Sequence, residues 1–92
     1  MTERDLALDA DLVERTVLLV PGVVGLHGGS FGEVATYLPG RRVVGVRLGD
    51  ATTEVHVVLS TDADLLQTAA AVRHVVEPLV GTPVDVFVED LA

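Results

Sequence analysis

Three stretches of this chain alternate apolar and polar residues one by one, and that period of two commits them to strands. From Val43 to Leu48, Val44, Val46 and Leu48 fall on one side and Val43, Gly45 and Arg47 on the other. From Thr53 to Ser60, Val55, Val57 and Leu59 oppose Glu54, His56 and Val58. Val84, Val86 and Val88 alternate with Asp85, Phe87 and Glu89. Val23 to Leu26 reads as a further short strand. Residues 33–38 fit either a strand, through Val34, Thr36 and Leu38, or a short helix. Pro39-Gly40 has the order of a type II turn.

Two other stretches carry the helical period. Val13, Val17 and Val20, flanked by Leu12 and Leu19, predict a helix near 10–20, capped by Asp9 or Asp11, with Glu14 at the capping-box position after Asp11. Leu65, Ala69, Val72, Val76 and Leu79 predict a second near 62–78, with Thr61 as cap and Asp64 as its capping-box partner. Pro21-Gly22 and Gly81 stop these helices, and Pro78 distorts or ends the last turn of the second. One apolar stripe per helix implies one sheet face for both. The expectation is a two-layer α+β domain, with two helices packed on one face of a four- or five-stranded mixed sheet. Residues 1–8 read as a mobile leader and 9–92 as the single domain.

A length of 92 residues suits one domain, and 49% apolar residues exclude disorder despite a net charge of −8. No cysteine is present, which excludes disulfides, thiolate catalysis and zinc–cysteine or iron–sulfur sites. Fourteen acids face six bases, all arginine. That balance repels a phosphate backbone and disfavours direct adsorption to an anionic membrane. Aromatics at 3% leave almost no platform for base stacking. The acidic start and the longest apolar run, Val17 to Val20, suit neither a signal peptide nor a membrane span, so the chain reads as cytoplasmic.

Candidate chemistry is sparse. His27, His56 and His74 lack ligand spacing, so no metal site is expected. Gly28-Gly29-Ser30-Phe31-Gly32 lacks the rest of a phosphate-binding motif, and its glycines suit a flexible connection. Neither serine sits in a nucleophile elbow. Acids crowd the helix starts, where the dipole favours them. Arg41 and Arg42, with Arg47 nearby, form the single basic cluster and suit an acidic partner or a neighbouring subunit. A two-layer domain leaves one sheet face open. On that face Val43, Val58 and Phe87, extended by Tyr37, are expected to form an apolar strip rimmed by charge and to mark a self-association surface.

The segments Val20-Pro21-Gly22-Val23-Val24-Gly25-Leu26, Gly45-Val46-Arg47-Leu48, Glu54 to Leu59, Ala70 to Glu77 and Gly81 to Val88 resemble the alkaline shock protein family, the envelope stress response proteins of Gram-positive bacteria. The stretch from Gly28 to Val43 is similar to the actinobacterial branch. The likeness spans roughly residues 9–90. It departs where the family often carries Tyr-Gly before its second helix and this chain has Leu59-Ser60-Thr61-Asp62. The family is also often longer at its C-terminal end. The resemblance implies a non-enzymatic, self-associating cytoplasmic protein without cofactor. Its contacts would be with other copies and with a membrane-anchored protein partner, and no catalytic residue is carried over. Two alternatives are a small regulatory ferredoxin-like domain binding a metabolite and a KH-like module. The KH pattern is met only in letter, by Gly25-Leu26-His27-Gly28, without basic residues.

Overall fold

A computed structural model of the chain describes residues 5–92. The order of elements is α1 (Leu6–Leu18), β1 (Val23–Leu26), β2 (Ala35–Leu38), β3 (Arg41–Val44), β4 (Val46–Leu48), β5 (Thr53–Leu59), α2 (Leu65–Val80) and β6 (Val84–Leu91). The architecture is the expected α+β, with two helices packed against a four-stranded mixed sheet. A separate two-stranded hairpin, β2–β3, adjoins it, so the ambiguous 33–38 segment resolves as a strand.

β5 is the axis of the sheet. Along one side it pairs in parallel with β6, from Thr53↔Val84 to Leu59↔Leu91. Along the other side it pairs with two antiparallel strands placed end to end. β4 takes Thr53 to Val55, and β1 takes Val57 to Leu59. The handover falls at His56. Its N–H donates to the Gly45 carbonyl at 2.8 Å, and its carbonyl accepts from the His27 N–H at 2.9 Å.

Gly45 makes the handover geometrically feasible. Its φ is +85°, a region L side chains avoid, and a Cβ there would lie 2.8 Å from Leu26 Cβ and 3.0 Å from two main-chain atoms, His27 N and His56 O. The turn also breaks the alternation expected through 43–48. Val43 and Val46, three apart, both enter the core, because the chain reverses its facing at Gly45.

Helix boundaries shift from those expected. Asp5 caps α1 by accepting from the Leu8 N–H, so Leu6 to Leu8 form its first turn instead of a leader; Met1 to Arg4 lie outside the described residues. Asp64, not Thr61, caps α2 through the Gln67 N–H. Pro78 is accommodated inside α2, since near the helix end it deletes one bond only, and Gly81 closes the helix with φ +71°. The buried stripe of α2 is Thr68, Val72, Val76 and Val80. Leu65, expected on that stripe, is exposed instead, and Gly22 lies close against Ala63 and Thr68. The core joins these residues to Ala10, Val13 and Val17 of α1 and to Val55, Val57 and Leu59 of β5.

Gly45→Ala is expected to cost more than about 3 kcal/mol, combining positive-φ strain with main-chain overlap. Gly40→Ala, with φ +76° but open space around its Cβ, is expected to cost about 1 kcal/mol. Urea unfolding of both variants measures the difference, and equal losses would contradict this account of the handover.

Candidate functional site

The open face of the sheet, opposite the helices, holds the densest group of ionisable side chains. Alternation along β5 places Glu54, His56 and Val58 there, and alternation along β6 adds Asp85 and Phe87. A bulge between Val88 and Asp90 inserts one extra residue, Glu89, and aims its carboxylate back at the centre.

His56 sits in the middle, with a relative exposure of 7%. Its Nε2 lies 3.0 Å from Glu54 Oε1 and its Nδ1 lies 3.1 Å from Glu89 Oε2. Arg47 stands 3.5 Å from the second oxygen of Glu54. Phe87 stacks on the imidazole with ring centroids 4.4 Å apart and an interplanar angle of 17°. A neutral imidazole donates through one nitrogen only. The two ring nitrogens of His56 face one carboxylate each. The arrangement clips β4, β5 and β6 together across the open face.

The same geometry directs these groups away from a common point. The two carboxylates hold opposite nitrogens of one ring, and His27, although its strand adjoins His56, accepts the Gly29 N–H on its own Nδ1 at 2.9 Å. Among the described residues no group of three His, Asp or Glu side chains is placed to hold a metal ion.

The expected apolar strip does not form. Val43 belongs to the core, at 3% exposure, because Gly45 inverts its facing. Val58 is half-buried opposite Asp90, and Phe87, 42% exposed, is partly covered by His56. Tyr37 and Arg42 are cross-strand neighbours on the exposed side of the β2–β3 hairpin, with the Tyr37 hydroxyl donating to the Glu33 carbonyl. Arg41 parts from Arg42. It reaches α1 and grips Asp11 through two hydrogen bonds of 3.0 and 2.9 Å, tying the hairpin tip to the helix.

The outer side of β6 is the second notable surface. Thr53 N–H donates to the Pro83 carbonyl, so alternation turns the main-chain groups of Val84, Val86 and Val88 away from β5. Val84 is covered by α2: its N–H donates to the Glu77 carboxylate at 3.3 Å and its carbonyl accepts from Arg73 Nε at 3.1 Å. At the far end the Leu91 N–H donates to Asp90. Beside this edge runs an open groove of about 450 Å³ lined by Leu65, Val88, Glu89, Asp90 and Leu91.

Spacing alone assigns His56 no site. Alternation along Thr53–Ser60 already set it beside Glu54 on one face. Glu89 was out of reach, since its approach depends on the parallel register and the bulge. The outward capping of Val84 by Arg73 and Glu77 likewise has no sequence signal, because it needs the docking of α2 on β6.

Two measurements check the site. His56→Ala, which strips two half-buried carboxylates of their shared partner, is expected to lower stability by about 2–3 kcal/mol, and its cycle with Glu89→Ala to show coupling of about 1 kcal/mol or more. Strict additivity would contradict the clip. The Asp11 carboxyl is held below its ordinary 3.8 mainly by the hydrogen bond from Arg41, against a smaller desolvation effect and helped by the Arg41 and Arg15 charges. Stability from this pair is thus present above the unfolded value and lost as pH falls through the lowered one. Arg41→Gln is expected to return the Asp11 titration, followed by NMR, toward 3.8; an unchanged titration would refute the pairing.

Set against protein-family models, curated proteins and solved structures, the chain matches none.

Proposed function

We propose that this chain is a non-enzymatic, self-associating cytoplasmic domain of the alkaline shock and envelope stress type. It works through protein–protein contacts near the membrane, held there by a membrane-anchored partner. The observation that carries the proposal is how the chain spends its functional groups. Glu54, His56, Glu89 and Arg47 bind one another, and Arg41 binds Asp11. Among the surfaces left over are the main-chain edge of β6 and the exposed apolar side chains of Val88 and Leu91, rimmed by Asp85 and Asp90, which suit contact with other proteins.

A tether fits the charge. At −8 the domain is repelled by anionic lipid. Among the described residues no helix is long and apolar enough to cross a membrane. A membrane-anchored protein partner then holds the domain at the membrane against that repulsion.

Light scattering after size exclusion is expected to show a homodimer or larger species at high micromolar concentration, and a pull-down from native membranes to retain an integral membrane protein. A clean monomer near 9.7 kDa together with an empty pull-down would overturn the proposal.

A further inference from the structure

We infer that the outer edge of β6 is a docking site for an extended peptide segment in which lysine or arginine alternates with apolar residues. The inference rests on the proposal that the chain works through protein contacts, and it names the chemistry of one partner.

β6 pairs with β5 alone, so its outer side carries unpaired main-chain groups. α2 covers Val84, and Asp90 covers Leu91. Between these closed ends Val86 and Val88 each present an N–H and a C=O outward. An added strand would find four main-chain partners there, the usual basis of strand addition to a sheet edge. Its side chains would continue the pleat of β6. Those on the helix side would lie along Val86, Val88 and the groove beside Leu65 and Leu91. Those on the open side would lie beside Asp85, Phe87 and Glu89, with Asp90 at the bulge. One side asks for apolar residues and the other for positive charge.

The same charges turn away a second copy. The symmetric antiparallel register that pairs Val86 with Val88 sets Asp85 opposite Glu89 twice. Parallel addition sets each acid opposite itself, and each copy brings a net charge of −8. Like charges directly opposite destabilise a strand pair, and edge acids are a known guard against self-pairing. A basic strand meets attraction in every register.

The probe is a short synthetic peptide alternating lysine and valine, compared with the same peptide carrying glutamate for lysine. NMR titration of the full chain is expected to move the Val86 and Val88 amides most. The glutamate peptide is expected to bind at least tenfold more weakly, and added salt to weaken the lysine peptide. Val88→Pro removes an outward N–H while leaving the β5 ladder intact, and is expected to weaken binding at least tenfold with the fold kept. Asp85→Lys is expected to weaken it severalfold, which keeps the test decisive if the proline variant does not fold. Equal binding of both peptides, or shifts centred away from β6, would overturn the inference. Light scattering on the same samples separates the two levels. An oligomer whose edge ignores the lysine peptide refutes the docking site and leaves the proposed function standing, whereas a monomer that binds the peptide through β6 refutes self-association alone.

Discussion

One main-chain exchange organises this molecule. At His56 the central strand lets go of β4 and takes hold of β1, and it does so through the two hydrogen bonds of a single residue. Neither neighbour is long enough to cover β5 alone: β4 spans three residues and β1 four, against seven for β5. Placing them end to end requires β3–β4 to swerve aside where β1 arrives, and Gly45 supplies the swerve. The consequences spread outward. β3 leaves the sheet and pairs with β2 as a separate hairpin, Val43 rotates into the core beneath α1, and Thr36 donates to the Val46 carbonyl at 2.7 Å to bind hairpin to sheet.

On the open face the same residue acts again through its side chain. A histidine and two glutamates are costly to bury singly, and they are tolerated here because each satisfies another. Among the described residues no buried side-chain nitrogen or oxygen lacks a hydrogen-bond partner. The clip thus belongs to the architecture. It ties β6 to β4 and β5 across the open face. What remains uncapped is the outer edge of β6, closed at both ends and open in the middle.

Much of this was visible in the order of residues. The strict alternation of Thr53–Ser60 announces the longest inner strand. Val13, Val17, Val72 and Val76 announce the helix faces, because valine recurring at the helical period lines up one apolar stripe that water drives inward. The caps were not legible. The helical stripe points to Asp9 or Asp11, whereas Asp5 accepts the Leu8 N–H and starts the helix earlier. The apolar strip expected from Val43, Val58 and Phe87 failed for a local reason: a positive φ at Gly45 resets the pleat, and alternation counted across it assigns Val43 to the wrong side. His56 and Glu89, thirty-three positions apart, meet through a register that no local pattern encodes.

Amide hydrogen exchange of the full chain tests the central claim, that β5 is covered on both sides while β6 is covered on one. The account predicts slow exchange at Val55, His56, Val57 and Phe87 and fast exchange at Val86 and Val88, alternating along a single strand. Uniform protection from Val84 to Leu91 in the monomer, or fast exchange at His56, would contradict it.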